Sequence, residues 1–179
     1  THERSSAASD VYKRQTHNEG AVRILRFNRP EALNAFSDAM FDAVAEDLLA
    51  AAEDDSVKVL IITGEGRAFS AGMDLSDRPG KGSQPVHGFA GMFEAFIEFP
   101  KPILLAINGL GVGFGCTITG LADLVFMAES AKLRCPFTAL GLTAEAASTV
   151  TFPAMMGPQN ANWVLSLIHI SEPTRRITI

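Results

Sequence analysis

The glycine-rich stretch from Ile107 to Asp123, INGLGVGFGCTITGLAD, is the part of the chain best suited to bring a ligand against the main chain. Four glycines occupy alternate positions between 109 and 115, which permits close approach and positive φ angles. N–H groups at the start of a following helix would suit a phosphate or a developing oxyanion. A dinucleotide fingerprint, G-x-G-x-x-G, is excluded because its third glycine would fall on Phe114, Cys116 or Ile118. A tight strand-to-helix connection without a ligand remains the alternative.

Two loops of similar design follow two predicted parallel strands. Glu65 to Leu75, EGRAFSAGMDL, follows the apolar run from Val57 to Thr63, and Asn108 to Gly115 follows the run from Ile103 to Ile107. Ligands of an open parallel sheet bind outside the carboxyl ends of its strands, so we expect both loops to face one crevice. Together they could supply a pair of main-chain donors, which is what a thioester oxygen needs when it becomes an enolate.

The apolar pattern of the chain predicts an α/β domain. Val57 to Thr63 is almost entirely β-branched or leucine, which indicates a buried strand. A helix between Val86 and Pro100 separates it from the strand Ile103 to Ile107, so we expect these strands to be parallel neighbours. The other predicted elements are a strand at Ala21 to Phe27, a helix of about four turns after an N-cap at Ser37, strands at Leu124 to Met127 and at Leu133 to Cys135, and a helix from about Ala144 to Gly157.

Composition limits the classes of partner. The 179 residues are 47% hydrophobic and 20% charged, as in a single globular domain. The net charge of -5 argues against nucleic acid or an anionic membrane as partner, and no apolar run reaches the ~18 residues of a membrane span. Two cysteines, Cys116 and Cys135, and four histidines lack metal-ligand spacing, so no metal site is expected. This cysteine usage suits a reducing compartment, and we expect the cytoplasm.

Four motifs occur in a fixed order, namely RPEALNAFS from Arg29, GRAFSAGMDL from Gly66, KPILLAINGLGVGFG from Lys101 and ADLVFMAESA from Ala122. In order and spacing they resemble the crotonase superfamily of acyl-CoA enzymes, the enoyl-CoA hydratases and isomerases, over about residues 21–164. The resemblance implies an α/β spiral of repeated β-β-α units. It also implies an acyl-CoA thioester substrate, no cofactor besides the coenzyme A of the substrate, and a homotrimer or dimer of trimers for the full-length form.

The resemblance assigns roles to two loops. The backbone N–H groups of Met73 and Phe114 would form the oxyanion hole. Ala32 and Leu33 would lie along the pantetheine arm. For Asp74 an Asx turn that orders the loop is the alternative to ligand contact. The segment that would contact the adenine of coenzyme A comprises Ala71, Gly72, Asp74 and Leu75.

The choice of reaction depends on the acidic residues. Hydratases of this superfamily use two glutamates to hold a water, and their positions here fall on Thr117 and Phe137, which cannot act as carboxylates. Glu145 lies where the peroxisomal type of Δ3,Δ2-enoyl-CoA isomerase carries its single catalytic glutamate. The resemblance therefore implies an isomerase that converts 3-enoyl-CoA to 2-enoyl-CoA with Glu145 as the base. An enoyl-CoA hydratase and a non-catalytic acyl-CoA-binding module remain the alternatives.

The sequence around Glu145 predicts its environment. We expect the neighbouring apolar side chains to raise the pKa of Glu145 towards the range of a general base. The alternative is an acid in the first turn of a helix, where the macrodipole favours a negative charge. The apolar neighbours are Leu140, Leu142, Ala144, Ala146 and Ala147.

Both ends of the chain resemble translated sequencing-adapter scars. Residues 1–16 show no apolar period, and the run from Leu165 to Arg176, LSLIHISEPTRR, resembles such a scar most closely. We therefore expect a crotonase-like core at residues 17–164 and non-native segments at 1–16 and 165–179, with C-terminal helices missing. Because the native N-terminus would then not be visible, organelle targeting stays open. Exposed apolar surface and poor solubility are further expectations.

Overall fold

A computed structural model describes residues 14–75 and 85–167. The strands are β1 (Arg14–Glu19), β2 (Val22–Phe27), β3 (Val59–Gly64), β4 (Ala68–Ser70), β5 (Ile103–Ile107), β6 (Leu110–Val112), β7 (Leu124–Met127) and β8 (Leu133–Arg134). The helices are α1 (Asp38–Glu53), α2 (Gly88–Ile97), α3 (Phe114–Thr117), α4 (Ser148–Met156) and α5 (Pro158–Asn162). Short 3-10 turns lie at Pro30–Ala32, Ile118–Leu121 and Thr138–Leu140, and a π-helical turn at Trp163–Leu167.

The strands form two sheets. The larger has the order β1-β2-β3-β5-β7, with β1 antiparallel to β2 and the remaining pairs parallel. The smaller has the order β4-β6-β8 and is parallel. The pairing of β3 with β5 confirms the predicted parallel neighbours, with Leu60 opposite Ile103 and Thr63 opposite Ala106.

The two sheets alternate along the chain. From β3 onward, each strand of the larger sheet is followed by a short strand of the smaller sheet and then by a helix, giving β3-β4-α2, β5-β6-α3 and β7-β8-α4. This repetition is the β-β-α spiral that the sequence predicted, and the fold class is confirmed. As a result, the connections β3 to β4 and β5 to β6 both leave the larger sheet at the carboxyl ends of parallel strands.

Helix α1 begins where its sequence favours a start. The Ser37 hydroxyl accepts a hydrogen bond from the Met40 N–H, as predicted for an N-cap, and Asp38 lies in the first turn. One face of the helix is buried against the sheet, with Met40, Val44 and Leu48 at 0% exposure. Burial of such side chains contributes on the order of 2 kcal/mol each. The helix thereby supports the main core beneath β2 and β3.

Helix α2 is anchored to α1 by a carboxylate. Asp42 accepts hydrogen bonds from the main-chain N–H groups of Val86, His87 and Gly88 at 2.7 to 2.9 Å. Burial would raise the pKa of Asp42, but these three donors outweigh it and the pKa is lowered. The first turn of α2 therefore obtains a capping group from another helix, because no side chain at its own N-cap position supplies one.

Two predictions of local structure are wrong. The last helix begins at Ser148 instead of about Ala144, because Ala146 and Ala147 have positive φ angles of 52° and 53°. The short strands β4 and β6 fall inside segments predicted to be loops, since three-residue strands carry too little alternation to be recognised. Strand β1 begins at Arg14, and the limits of the non-native segments stay a prediction.

The edge strand β7 exposes apolar side chains. Leu124, Phe126 and Met127 are 54%, 61% and 47% exposed. Other exposed apolar side chains include Val150 and Met155 of α4. The predicted exposed apolar surface is therefore present, while poor solubility stays a prediction. Within residues 14–75 and 85–167, the structure contains no helix with the length and apolar character of a membrane span.

Candidate functional site

The two loops predicted to share a crevice are in contact. Strands β4 and β6 pair directly, and a Cβ on Gly72 would lie 2.6 Å from the Val112 carbonyl oxygen and 3.5 Å from the Phe114 nitrogen. Asn108 links the loops a second time, because it accepts from the Gly64 N–H and donates to the Gly66 carbonyl. The segment before Met73 therefore packs against the segment before Phe114, and only glycine permits this approach.

Both proposed amide donors are available. In the part of the chain that the structure describes, neither the Met73 N–H nor the Phe114 N–H donates a hydrogen bond. Phe114 is the first residue of α3, where N–H groups have no acceptor within the helix. Its ring is buried among Phe36, Phe41, Phe89 and Phe96, so the side chain fixes the position from which the main-chain N–H projects.

The Met73 segment is held by an isolated parallel β-bridge to Phe36. The Phe36 N–H donates to the Gly72 carbonyl at 2.7 Å, and the Asp74 N–H donates to the Phe36 carbonyl at 2.8 Å. Asp74 Oδ2 also accepts a 2.6 Å ion-paired hydrogen bond from Arg29 Nη1, with side-chain exposures of 10% and 20%. The Asp74 carboxylate, predicted to contact coenzyme A or to form an Asx turn, therefore engages Arg29 across the loops.

The residues predicted to contact coenzyme A lie together. Leu33 ends the 3-10 turn Pro30–Ala32 in a left-handed conformation, with φ 52°, and its carbonyl accepts from the Ala71 N–H at 2.9 Å. Ala32 and Leu33 are half-buried, whereas Leu75 is 73% exposed. The contact joins the two segments, so one ligand could reach both.

The Asn34 side chain connects the segment that begins at Arg29 to the loop from Glu65 to Leu75. It is fully buried, its Oδ1 accepts from the Arg29 N–H, and its Nδ2 donates to the carbonyls of Glu65 and Ala68. The carbonyl of Asn34 accepts from the Ser70 hydroxyl, whose oxygen in turn accepts from the Gly72 N–H. The side chain thus fixes the residues that lead to Met73. No feature of the sequence pattern around Asn34 had suggested this role.

The Asn34→Ala variant should lose stability. It would remove the Asn34 partner of three buried or part-buried main-chain groups, of which the Ala68 carbonyl keeps a 3.4 Å hydrogen bond from Asn108, so we expect the free energy of unfolding to fall by about 2 kcal/mol. Urea titration followed by circular dichroism measures this change. Asn160→Ala is the matched control, because Asn160 is exposed and bonds only locally, to the Met156 carbonyl. Equal stability of the two variants would contradict the role of Asn34.

Glu145 is directed at the helix that begins with Phe114. Its Oε1 accepts a 2.5 Å hydrogen bond from the hydroxyl of Thr117, the last residue of α3. Its Oε2 is buried and has no hydrogen-bond partner among the described residues. Burial raises the pKa of Glu145 above its ordinary value of 4.5, and the Thr117 hydrogen bond opposes this shift. A buried carboxylate with one free oxygen is well suited to accept a proton.

Only some of the apolar neighbours predicted for Glu145 are buried. Leu140 and Leu142 are 51% and 57% exposed. Ala144 packs with the cluster around Cys116 and Cys135, and Ala146 belongs to the main core. The alternative of a helical first-turn acid is also wrong, because α4 begins three residues later, at Ser148.

The two hydratase positions are both buried. Thr117 is fully buried and bonded to Glu145, whereas Phe137 is 6% exposed and packs in the cluster around Cys116 and Cys135. Cys116 and Cys135 lie beside each other in that cluster. Their mutual hydrogen bond and burial raise the pKa of the Cys116 thiol, so it stays protonated. No group of three or more potential metal ligands occurs in the described ranges.

The raised pKa of Glu145 predicts a pH-dependent stability. As the pH rises above 4.5, the folded state binds more protons at Glu145 than the unfolded state does, so this group makes stability fall with pH. Glu145→Gln removes that contribution. We therefore expect the free energy of unfolding of the variant, relative to the parent, to increase between pH 4.5 and pH 8, as measured by urea titration. A constant difference would contradict the raised pKa, and exposed Glu129→Gln serves as control.

Comparison with known proteins identifies the family. The sequence model of the family described as enoyl-CoA hydratase/isomerase matches residues 17–171. The chain belongs to the enoyl-CoA hydratase/isomerase family. This family member is 36% identical over 154 residues to 1,2-epoxyphenylacetyl-CoA isomerase of Escherichia coli (strain K12), covering 82% of this chain and 59% of that protein. It is 35% identical over 158 residues to human enoyl-CoA delta isomerase 2, covering 84% of this chain and 40% of that protein.

Solved structures agree with the family assignment. The crystal structure of an enoyl-CoA hydratase from Mycobacterium marinum aligns with a TM-score of 0.82 and 48% sequence identity, covering 87% of this chain and 74% of that one. This agreement confirms the crotonase-type fold. This enoyl-CoA hydratase/isomerase family member spans about half the length of the curated relatives it matches.

Proposed function

We propose that the protein is an acyl-CoA double-bond isomerase that converts a 3-enoyl-CoA to a 2-enoyl-CoA. The observation that carries this proposal is the buried Glu145 carboxylate: its Oε1 accepts from Thr117 on the helix that begins with Phe114, and its Oε2 has no hydrogen-bond partner among the described residues. Moving a double bond requires one base that removes and returns a proton, together with donors that hold an enolate. The Glu145 carboxylate and the main-chain N–H groups of Met73 and Phe114 are our candidates for these roles and support the proposal.

The proposed reaction has two proton transfers. Glu145 Oε2 takes a proton from C2, the C2–H electron pair forms the enolate, and the negative charge develops on the thioester oxygen. The N–H groups of Met73 and Phe114 stabilise that oxygen through hydrogen bonds that strengthen as the charge develops. The proton on Oε2 is then delivered to C4, the new double bond forms between C2 and C3, and the carboxylate is restored.

The substrate would supply its own coenzyme A, so the proposal requires no separate cofactor. Ala32 and Leu33 would line the pantetheine arm, and the exposed end of the loop from Glu65 to Leu75 would contact the adenine. The residues proposed for that contact are Ala71, Gly72, Asp74 and Leu75.

We further propose a cytoplasmic enzyme that assembles as a homotrimer or dimer of trimers in its full-length form. Exposed apolar side chains on β7 support an assembly.

Enoyl-CoA hydratase is the second candidate. The similarity to the Mycobacterium marinum protein, described as an enoyl-CoA hydratase, favours it. Against it, a two-carboxylate mechanism would need acids at Thr117 and Phe137, and these side chains have no ionisable group. A non-catalytic acyl-CoA-binding module would need neither acid. The burial of the Glu145 carboxylate argues against such a module, because burying a carboxylate costs desolvation free energy and binding alone does not require it.

One experiment separates the three candidates. The purified protein is incubated with a 3-enoyl-CoA and, separately, with a 2-enoyl-CoA. The products are separated by liquid chromatography against reference 2- and 3-enoyl-CoA, because the two isomers have the same mass, and hydrated products are identified by mass spectrometry. An isomerase forms the 2-enoyl-CoA from the first substrate and adds no water to the second. A hydratase increases the mass of the second substrate by one water. Binding of both thioesters without turnover would identify a binding module and overturn the proposed catalysis.

A further inference from the structure

One proposed oxyanion donor and the hydrogen-bond partner of the base share a single turn of helix. Helix α3 has four residues, with Phe114 at its start and Thr117 at its end. The Thr117 N–H donates to the Gly113 carbonyl at 2.9 Å, which closes this turn. The Thr117 hydroxyl then crosses to Glu145 at 2.5 Å, a separation of 28 positions in the sequence. The hydroxyl thus connects the Glu145 turn to the helix that carries the Phe114 amide.

The Glu145 turn lacks other means of directing its side chain. The carbonyl of Glu145 accepts from both the N–H and the hydroxyl of Ser148, which fixes the main chain only. The next two residues, Ala146 and Ala147, hold left-handed conformations that cost an alanine roughly 1 to 2 kcal/mol each. The surrounding structure keeps this conformation, and the carboxylate it presents has one side-chain partner among the described residues, Thr117.

We propose that Thr117 is a positioning residue of the isomerase, whose hydroxyl donates to Glu145 Oε1 and leaves Oε2 as the oxygen that exchanges protons with the substrate. This inference rests on the proposed function. A hydroxyl has one proton to donate, and the distance to Oε1 is much shorter than the distances of 3.3 and 3.5 Å to the carbonyls of Gly113 and Phe114. Oε1 therefore already accepts one hydrogen bond, whereas Oε2 accepts none among the described residues and is the more basic oxygen, so we assign the proton from C2 to Oε2.

Few titratable groups lie near Glu145, so its pKa can be used to test the role of Thr117. The titratable groups facing Glu145 are the thiol of Cys116 on α3 and, beside it, the thiol of Cys135 after β8. The pKa of Glu145 has no contribution from a charged side chain in the described ranges; its causes are burial and the Thr117 hydrogen bond. Removing the hydroxyl should therefore raise the pKa of Glu145 further.

The decisive variants are Thr117→Val and Thr117→Ser. Valine has the shape of threonine without the hydroxyl, so we expect kcat to fall about 10- to 100-fold, the equivalent of one lost hydrogen bond to a charged group. KM should stay within about twofold, since Thr117 acts through Glu145 and not on the coenzyme A. The acidic limb of the kcat profile should move to higher pH. Thr117→Ser should restore both kcat and the profile.

A matched control and a second readout separate positioning from folding. Thr119→Val removes another buried threonine hydroxyl, which donates to the Cys116 carbonyl at 2.7 Å, and should keep the parent pH profile. Carbon-13 NMR of labelled glutamate carboxyls, with the Glu145 signal assigned by its loss in Glu145→Gln, reports the pKa directly and without turnover. The Glu145 signal should titrate at higher pH in Thr117→Val than in the parent.

The outcomes distinguish the two proposals. If the parent does not isomerise a 3-enoyl-CoA, the proposed function is wrong. If it does and Glu145→Gln keeps the parent rate, Glu145 is not the base. If Glu145→Gln is inactive but Thr117→Val keeps the parent kcat, pH profile and carboxyl titration, the mechanism stands and the role of Thr117 is wrong. If Thr117→Val fails to fold, Thr117→Ser and the NMR titration of Thr117→Ala decide between the same two results.

Discussion

The Glu145→Gln variant is expected to isomerise 3-enoyl-CoA about 10³-fold more slowly than the parent while still binding acyl-CoA. Glutamine has nearly the same shape, and its carbonyl oxygen can still accept from the Thr117 hydroxyl, so the turn should keep its conformation. What disappears is the basic oxygen, and general-base catalysis contributes typically 10²- to 10⁴-fold. Initial rates at saturating substrate measure the loss, and calorimetric titration with a saturated acyl-CoA measures the binding.

Glu129→Gln is the matched control for that experiment. It makes the same substitution at an exposed glutamate after β7 and should leave kcat unchanged. A Glu145→Gln variant that binds acyl-CoA and turns over at the parent rate would exclude Glu145 as the base. Loss of both binding and turnover, together with a lower melting temperature, would instead identify Glu145 as a structural residue and also contradict the mechanism.

Gly72→Ala should give the largest loss of stability among the single substitutions that we consider. The φ of Gly72 is +84°, and a left-handed alanine costs roughly 1 to 2 kcal/mol. The new Cβ would also lie 2.6 Å from the Val112 carbonyl oxygen, a main-chain atom that cannot rotate away. Overpacking adds about 1 to 3 kcal/mol, so we expect the free energy of unfolding to fall by about 3 kcal/mol in total.

Gly20→Ala separates the two causes. Gly20 has φ +59° and no heavy atom within 4 Å of the Cβ position, so this variant carries the conformational cost without the clash. Urea titration should give a decrease of about 1 kcal/mol for Gly20→Ala and a clearly larger one for Gly72→Ala. The Gly72 variant should also lose isomerase activity, because the Met73 amide moves away from the Phe114 amide. If both variants lost the same free energy of unfolding, the close packing of Gly72 against Val112 would not contribute to stability, and this prediction would be wrong.

The periodic parts of the fold could be predicted from the sequence. Strand β5 has the predicted bounds, Ile103–Ile107, and Ser37 caps α1 as expected. Both follow from local rules: a continuous apolar run favours a buried strand, and a serine before an amphipathic run favours an N-cap. The pairing of β3 with β5 followed from topology, since a helix between two apolar strands favours a parallel crossover.

Parts of the candidate site could not be predicted, because they depend on tertiary contacts between residues far apart in the sequence. The run around Glu145, TAEAAST, has good helix formers, yet Ala146 and Ala147 are left-handed because packing overrides propensity there. The partner of Glu145 is Thr117, a distant residue noted in the sequence only as a missing acid. Asn34 was equally invisible, because its hydrogen bonds go to main-chain groups that carry no side-chain signature.

The exposure of Met73 has a practical consequence for enzyme engineering. The side chain is 57% exposed, while the proposed donor at this position belongs to the peptide unit, which every non-proline residue retains. A library randomised at codon 73 would therefore sample new acyl or coenzyme A contacts without deleting the chemistry. Selection from such a library should recover many different amino acids at this site, with proline absent.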